Sequence, residues 1–351
     1  MSERRYDRIL VVKPSSLGDI IHLFPALARL RGAFPDAELD FMVHPAFAGA
    51  LDYSPWPISH RILFDRERLG SWSGFAGGMK QLISALRERR YDCVIDFQGL
   101  YRSAFFAHVA ARRAPVVGFA SPREYSARIF YTSAVRARGA HAVERNVELA
   151  NHFFGGEELP VPELPVPPVP EHVAVPEELP ERYILLLPGA RWRSKCFPPA
   201  LFATAARRIM ARFPGLSAVI AGGNDAEEAA RELVRELPPD TVDLVGKTTL
   251  PELFEVVRRA SGVVCNDSGP MHVAALMRRP LCAFFGSTRP GATGPWGDRE
   301  RFLVIRNDNL KCLECMHREC RRGGDYRCFD VDAAAAADSL GDILEKDGLT
   351  C

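Results

Sequence analysis

Short apolar runs alternate with helical patterns along the first half of the chain. Predicted strands cover Arg8 to Lys13, Leu39 to Val43 and Cys93 to Phe97. Predicted helices cover Ile20 to Arg31, Phe75 to Arg90 and Leu100 to Arg112, where apolar residues recur at helical spacing. Strands separated by helices of this length indicate βαβ units and a parallel sheet covered on both faces.

A proline-rich segment interrupts this alternation. Eight prolines lie between Gly155 and Glu181, which is typical of a stiff, extended connector rather than a helix or strand. We therefore expect a first domain over residues 1–155 and a linker over 156–181. A second domain is expected over 182–330, followed by a carboxyl-terminal helix and tail over 331–351.

The alternation resumes after the linker. Predicted strands cover Tyr183–Leu187, Ser217–Ala221, Val242–Val245, Gly262–Cys265 and Leu281–Phe285. Predicted helices cover Pro199–Arg212, Ala226–Glu236, Leu250–Arg259 and Met271–Met277. The fold class is therefore α/β, with two parallel-sheet domains that we expect to face a cleft, since ligands of open α/β sheets bind at the carboxyl ends of the strands.

Composition narrows the functional classes. The 351 residues are 47% hydrophobic and 25% charged with a net charge of +1, which is globular and argues against a nucleic-acid binder. No apolar run approaches the ~18 residues of a membrane span, and no signal-peptide core precedes Ile9, so a cytoplasmic location is expected. Nine scattered cysteines fit reduced thiols better than a disulfide framework.

The turn Lys13-Pro-Ser-Ser-Leu-Gly-Asp19 follows the first predicted strand and precedes a helix. Its small residues, among them Ser16 and Gly18, would let a substrate approach the backbone. Asp19 has two interpretations of about equal weight, a helix N-cap or a functional carboxylate.

Two further strand–turn–helix junctions carry candidate chemistry. Lys195 ends a glycine-containing cationic loop before the helix at Pro199, which suits a phosphate near a helix N-terminus, although a solvated basic loop is the alternative. Asp267, Ser268 and Gly269 would offer backbone N–H groups and a hydroxyl to a phosphate. His272 follows just inside the helix, where a buried or capping histidine is the alternative.

Two clusters remain to be explained. Eight arginines and only two glutamates lie between Tyr101 and Asn146. This excess of positive charge suits a polyanionic partner, and the alternative for most of these arginines is a solvated surface. Four cysteines fall within 17 residues, and their spacing leaves three interpretations open: a structural metal site, a disulfide-capable loop, or free thiols. These cysteines are Cys312, Cys315, Cys320 and Cys328.

Taken in order, these motifs resemble the heptosyltransferase family, glycosyltransferase family 9, which builds the inner core of lipopolysaccharide. Besides Lys13–Asp19, the resemblance rests on Asp96-Phe-Gln-Gly-Leu100 with Ser103, His141-Ala-Val-Glu-Arg-Asn146, Pro188-Gly-Ala190 with Lys195, and Asn266-Asp-Ser-Gly-Pro-Met-His272. It extends over nearly the whole chain.

The resemblance implies a GT-B fold of two Rossmann-like domains, with the acceptor bound by the first and the nucleotide sugar by the second. It implies that Asp19 is the general base and that Lys195 contacts the diphosphate. Glu227 would contact the ribose and Thr248 the adenine, with Asp267, Ser268, Gly269 and His272 around the phosphates and sugar. The residues implied to face the anionic acceptor are Ser16, Gly18, Arg123, His141 and Arg145.

The expected activity is an inverting transfer of heptose from ADP-heptose to the lipopolysaccharide inner core, onto Kdo or the first heptose. The acceptor stays open, because Ala190 and Arg191 replace a Thr pair of the first heptosyltransferase, whereas the His141 motif resembles that enzyme. The partners are then the nucleotide sugar and an anionic lipid acceptor at the inner membrane surface, with no nucleic acid. The enzyme would be peripheral to the inner face of the cytoplasmic membrane.

No Asp-x-Asp motif stands out at a predicted strand end, so neither a metal nor another cofactor is expected. The alternatives are a nucleotide-sugar epimerase of the same fold, a family 9 transferase for a different sugar, or a non-enzymatic metal or redox module built on the four cysteines.

Overall fold

The computed structural model describes residues 6–65 and 75–350, and the chain divides into two compact units, Met1–Pro167 and Pro168–Cys351. The division falls inside the proline-rich segment. Residues 1–5 and Cys351, at the ends of the predicted first domain and tail, lie outside the described residues.

Unit 1 is built on a six-stranded parallel sheet in the order β3-β2-β1-β4-β5-β6. Its strands are β1 (Arg8–Val12), β2 (Glu38–Val43), β3 (His60–Leu63), β4 (Cys93–Asp96), β5 (Val116–Phe119) and β6 (Ser133–Val135). Its helices are α1 (Leu17–Ile21), α2 (Phe24–Ala33), α3 (Phe75–Glu88), α4 (Tyr101–Ala111) and α5 (Ala142–Asn151).

The sheet of unit 1 is covered on both faces. Residues Ile9 to Val12 of β1 are fully buried although their side chains alternate between the two faces. Helices α3 and α4 pack with Leu10 and Val12 in one apolar cluster, and α2 packs against α5. The prediction of a doubly covered parallel sheet is confirmed.

Unit 2 repeats the same topology, with sheet order β12-β11-β10-β7-β8-β9. Its strands are β7 (Tyr183–Leu187), β8 (Ser217–Ile220), β9 (Val242–Asp243), β10 (Gly262–Asn266), β11 (Leu281–Phe284) and β12 (Phe302–Ile305). Its helices are α6 (Pro199–Arg212), α7 (Glu227–Glu236), α8 (Leu250–Arg259), α9 (Gly269–Leu276), α10 (Pro290–Thr293) and α11 (Ala333–Lys346). Numbered within each unit, both sheets have the order 3-2-1-4-5-6 of a Rossmann-like fold.

One predicted element is wrong in detail. The helix expected over Ile20–Arg31 consists of α1 and α2, which are separated at His22 and Leu23. Pro25 stands in the first turn of α2, where its missing N–H costs nothing, but the same ring would disrupt the interior of a continuous helix. The break ends α1 at Ile21, two residues after Asp19.

Candidate functional site

In unit 1, the site is built around the start of α1. Ser16 is the N-cap residue, and Asp19 lies three positions later. The Asp19 carboxylate accepts hydrogen bonds from the Ser16 backbone N–H at 2.9 Å and from the Ser16 hydroxyl at 3.1 Å. Asp19 is therefore not itself the N-cap residue, but it closes the capping box that Ser16 begins and so helps to cap α1.

Lys13 supplies the cation that pairs with this carboxylate. Its Nζ atom is buried, lies 3.5 Å from Asp19 Oδ1 and donates to the Phe97 carbonyl at 3.0 Å. Burial raises the pKa of Asp19, but Lys13, the Ser16 N–H and, more weakly, Arg123 and His22 outweigh it and lower the pKa to about 2. Asp19 is thus a carboxylate throughout the neutral range.

The end of β4, next to β1 in the sheet, is fixed by a buried carboxyl group. Asp96 is fully buried and accepts hydrogen bonds from Tyr131 Oη at 2.7 Å, Ser103 Oγ at 3.0 Å and the Gln98 N–H at 2.9 Å. Each of these hydrogen bonds lowers the pKa of Asp96, but burial outweighs them and raises it. Since the turn after Asp96 supplies the carbonyl that orients Lys13, Asp96 acts as a positioning residue.

The predicted acceptor residue Arg123 lies against this turn, whereas His141 and Arg145 contact other residues of unit 1. Gly99 adopts φ +69°, and a Cβ atom there would lie 3.2 Å from the Arg123 backbone nitrogen, so only glycine allows this close approach. His141 is the N-cap of α5, and its ring lies 4.9 Å from that of His22, centroid to centroid. The Arg145 guanidinium lies 5.6 Å from the centroid of the Phe119 ring.

These contacts bring the unit 1 candidates together. Ser16, Gly18 and Asp19 share the start of α1, Arg123 lowers the pKa of Asp19, and His141 reaches α1 through His22. Asn146 reinforces that link by donating from Nδ2 to the His22 carbonyl at 3.1 Å. The result is an ionised carboxylate beside several cationic or histidine side chains.

In unit 2, Lys195 forms an ion pair with Asp267. The distance from Lys195 Nζ to Asp267 Oδ2 is 2.8 Å, and Thr288 Oγ1 also donates to Asp267 Oδ2. Lys195 Nζ further lies 5.0 Å from the centroid of the Trp192 ring. The structure therefore brings together the two motifs that the sequence placed at the ends of β7 and β10.

The loop that carries Lys195 is held on one flank by Ser194. The buried Ser194 hydroxyl donates to the His317 carbonyl at 2.6 Å and lies 2.8 Å from Ser287 Oγ, while its backbone N–H donates to the Arg318 carbonyl at 3.0 Å. On the other flank, Asn266 Nδ2 donates to the Pro188 carbonyl at 2.6 Å. These contacts fix the backbone from which Lys195 projects.

Glu227 begins α7 directly after the loop that follows β8, and Thr248 lies on the neighbouring loop before α8. A Cβ atom on Gly189 would lie 3.1–3.2 Å from Ala226 and Asp225, so the loops after β7 and β8 touch just before Glu227. The Gly246 N–H donates to the Gly222 carbonyl at 3.0 Å, which joins the loop of Thr248 to the same region. Glu227 itself is exposed and its carboxylate lies 3.7 Å from Arg231.

The start of α9 has features of an anion site. Ser268 is the N-cap residue, Gly269 begins the helix, and His272 is buried in its first turn. The Ser268 hydroxyl oxygen is buried and makes no hydrogen bond with the residues that the structure describes. N–H groups at a helix start together with such a hydroxyl favour a phosphate or sugar oxygen.

All eight described cysteines are free thiols. Burial, together with Cys320, Cys315 and Cys312, raises the pKa of Cys328 to about 11, so this thiol is protonated at neutral pH. Within residues 6–65 and 75–350, no three His, Cys, Asp or Glu side chains are arranged to hold a metal ion.

Sequence reasoning missed several residues that shape the site. Lys13 carried a signal, since it is one of only six lysines in the chain and stands at a strand end. The contacts of the others depend on the tertiary fold, which no local pattern reveals. They are His22, Ser194 and Thr288, together with Asp96, Asn146 and Asn266, which stood in the motifs of the resemblance without an assigned role.

In the part of the chain that the structure describes, no helix combines the length and the apolar character needed to cross a bilayer.

Residues 79–324 match the model of the family described as glycosyltransferase family 9 (heptosyltransferase). The chain belongs to glycosyltransferase family 9. This family 9 chain is 32% identical to lipopolysaccharide heptosyltransferase 1 of Pseudomonas aeruginosa, over 92% of this chain and 91% of that protein. It is also 27% identical to lipooligosaccharide heptosyltransferase 2 of Haemophilus influenzae, over 96% and 99% of the two chains. The resemblance drawn from the motifs is confirmed, and the chain is a glycosyltransferase.

Solved structures agree with this family 9 assignment. The Escherichia coli heptosyltransferase WaaC with ADP has a TM-score of 0.73 at 24% identity, covering 97% of this chain and 99% of that chain. The E. coli ADP-heptose lps heptosyltransferase II has a TM-score of 0.77 at 23% identity, again covering 97% and 99%. The expected GT-B fold, built from two Rossmann-like domains, is confirmed.

Proposed function

We propose that this family 9 enzyme transfers a heptose from ADP-heptose to the inner core of lipopolysaccharide with inversion of configuration. Unit 1 binds the acceptor and unit 2 binds the nucleotide sugar. The observation that carries the proposal is the pair of charged groups at the ends of the first strands, an ionised Asp19 after β1 and Lys195 after β7. The relatives named lipopolysaccharide heptosyltransferases support the substrate class.

On the donor side, Lys195 contacts the diphosphate of the leaving ADP. Ser268, Gly269 and His272 at the start of α9 bind phosphate and sugar oxygens, and Asp267 orients Lys195 before the donor arrives. Glu227 contacts the ribose and Thr248 lies beside the adenine. Preorganised cations and helix N-termini stabilise the charge that develops on a leaving diphosphate without reorganising at the moment of reaction.

On the acceptor side, Asp19 is the general base. The acceptor hydroxyl oxygen attacks the anomeric carbon, the bond from that carbon to the diphosphate oxygen breaks, and the hydroxyl proton moves to the Asp19 carboxylate. A carboxylate with a pKa of about 2 is a weak base, so the proton moves late, when bond formation has made the hydroxyl acidic. An anionic acceptor bound nearby raises the Asp19 pKa and improves the match.

Ser16, Gly18, Arg123, His141 and Arg145 form the acceptor subsite. Arginine binds carboxylates and phosphates through two parallel hydrogen bonds, which suits the Kdo carboxylates and phosphates of an inner core. Because such an acceptor is lipid-linked, the enzyme works at the inner face of the cytoplasmic membrane.

The test is a product assay with ADP-heptose against a panel of truncated lipopolysaccharide cores. Transfer to a core that ends in Kdo, or to one that carries a single heptose, supports the proposal and assigns the acceptor. No product on any core, from protein that binds ADP-heptose, contradicts it.

Two alternatives are tested in the same assay. A transferase for a different sugar would prefer another nucleotide sugar over ADP-heptose on the same cores. An epimerase would convert the nucleotide sugar without any acceptor, an outcome that the arginine excess around Arg123 and the family membership both disfavour.

A further inference from the structure

Four large apolar side chains of unit 1 are exposed. Tyr125 and Ile129 have 81% and 73% of their area exposed, and Tyr101 and Phe105 have 47% and 37%. Single exposed apolar residues are common and need no explanation, but a contiguous group marks an interaction surface.

Two adjoining segments of unit 1 carry these four side chains. Tyr101 and Phe105 lie one turn apart on the same face of α4, and the Phe130 ring lies 5.3 Å from the Tyr101 ring and 5.9 Å from the Phe105 ring, centroid to centroid. Phe130 belongs to the 3₁₀ segment Tyr125–Phe130, which also carries Tyr125 and Ile129. We name Tyr101, Phe105, Tyr125 and Ile129 the aromatic surface.

The aromatic surface is anchored to the rest of unit 1. The Tyr101 N–H donates to the Glu124 carboxylate at 2.7 Å, and the Glu124 N–H donates to the Gly99 carbonyl at 2.9 Å. Phe130 packs against the apolar cluster that contains Ala127 and Tyr131. The exposed side chains are therefore presented by an ordered part of the fold.

The surroundings of the aromatic surface are strongly basic. Between Tyr101 and Arg138 the sequence has seven arginines and a single carboxylate, Glu124, which the Tyr101 N–H already occupies. Five of these arginines are exposed or half-exposed on or beside α4 and the 3₁₀ segment, namely Arg102, Arg112, Arg113, Arg123 and Arg128. The complementary partner is therefore anionic.

We propose that the aromatic surface docks on an anionic lipid bilayer. Tyrosine and other amphipathic rings partition to the headgroup level of a membrane, and each arginine near an anionic leaflet adds to the attraction. Protruding apolar side chains within a basic surround match this interface better than a protein partner, which would supply carboxylates and a shaped apolar face. The inference rests on the proposed function and deepens it. Docking holds the enzyme at the membrane that contains its lipid acceptor, independently of any contact with the acceptor's sugars.

The experiment is cosedimentation of the full chain with vesicles that contain no lipopolysaccharide. One set is pure phosphatidylcholine, and the other contains one-third phosphatidylglycerol. We expect binding to the anionic vesicles, weaker binding to the neutral ones, and loss of binding at high salt, because exposed charge attraction is screened over ~3 Å at 1 M salt.

The deciding variant is Tyr125→Ser combined with Ile129→Ser, which should lower the partition coefficient on anionic vesicles by about tenfold or more. Its matched control is Leu63→Ser on β3, at the opposite edge of the same sheet, where a 54% exposed apolar side chain is removed. The control should bind as wild type does, and equal melting temperatures show that all three proteins are folded.

Unchanged vesicle binding in the double variant overturns the proposal, as does the absence of any wild-type binding to anionic vesicles. A shift in oligomeric state in the double variant without a change in vesicle binding also overturns it and makes the surface a protein interface. Activity on a detergent-dispersed acceptor reports separately on the proposed reaction, so that failure of docking and failure of transfer are distinguished.

Discussion

Lys195 Nζ lies 2.8 Å from Asp267 Oδ2, so the cation proposed to meet the diphosphate already has a carboxylate partner. Asp267 is buried, and its Oδ2 atom also accepts a hydrogen bond from Thr288 Oγ1, which holds the Asp267 carboxylate in one orientation. A lysine has a flexible four-carbon stem, and a fixed partner reduces the conformational freedom that donor binding must remove. Asp267 thus sets the position of Lys195 rather than simply neutralising it.

Removing this lysine should affect chemistry more than donor binding. Lys195→Ala is expected to lower kcat by on the order of 10²-fold, because one preorganised charge donor to the leaving group is lost. Steady-state kinetics with ADP-heptose measure the effect, and Lys346→Ala, an exposed lysine of α11, is the control. A kcat for Lys195→Ala within about twofold of wild type, too small a change for such a donor, would remove Lys195 from the site.

Asp19→Asn tests the proposed role of the Asp19 carboxylate as general base. At neutral pH the variant cannot accept the hydroxyl proton, and loss of a positioned base typically lowers turnover ~10²–10⁴-fold. Donor affinity should stay near the wild-type value. Asp36→Asn, an exposed carboxylate one helix away, should retain full activity.

The difference in stability between wild type and Asp19→Asn should depend on pH. The folded-state pKa of Asp19 lies at about 2, below the usual 3.8, which corresponds to about 2 kcal/mol of stability at neutral pH. Because the folded pKa is lowered, this contribution is present above about pH 4 and is lost as the pH falls through about 2. Melting temperatures of wild type and Asp19→Asn should differ at pH 6 and converge towards pH 2; a constant difference would mean that Asp19 is not ionised in the folded protein.

The arginines of the proposed acceptor subsite should contribute to binding of the acceptor and not to binding of ADP-heptose. Arg123→Ala and Arg145→Ala are expected to raise the KM for the acceptor and leave the KM for ADP-heptose nearly unchanged. Acceptor KM should also rise steeply with salt, since exposed charge attraction is screened over ~8–10 Å at physiological ionic strength. Arg136→Ala, an exposed arginine of the same region, is the matched control, and equal salt slopes for both substrates would contradict this assignment.

Ser194 should help to position Lys195 without contacting the substrate itself. Ser194→Ala leaves the His317 carbonyl and the buried Ser287 hydroxyl without this partner, which typically costs about 1–3 kcal/mol of stability. Because Ser194 precedes Lys195, kcat should fall as well, whereas Ser339→Ala, which removes a hydroxyl bonded within α11, should change neither quantity. Equal losses of kcat in the two variants would argue against a positioning role.

Most central strands and most long helices could be predicted from sequence, and three of the four edge strands could not. The predicted bounds of β7, α6 and α8 agree with the structure residue for residue, because each element carries a clear apolar period between turn residues. Strands β3, β5, β6 and β12 were not predicted, whereas the edge strand β9 was. Edge strands are short and half-exposed, as in His60-Arg61-Ile62-Leu63, so their pattern does not differ from that of a loop.

The candidate site was predictable in its motifs and not in its contacts. Turns after β1, β7 and β10 stood out because small residues and isolated charges follow apolar strands. The pairing of Lys195 with Asp267 depends on β7 and β10 being neighbours, a sheet order that local patterns do not specify. The same holds for Asp96, whose partner Tyr131 is 35 residues away.

The two sheets share one strand order, and this has a consequence for how the family diversifies. In each sheet the first strand sits where the chain reverses its winding direction, so backbone connectivity alone opens a crevice beside it. The residues of that crevice are supplied by turns, while each sheet rests on its own apolar core. Under the proposed function, evolution can therefore change the turns of unit 1 and those of unit 2 separately, which gives a lineage of enzymes a route to new acceptors while the ancestral sugar donor is kept.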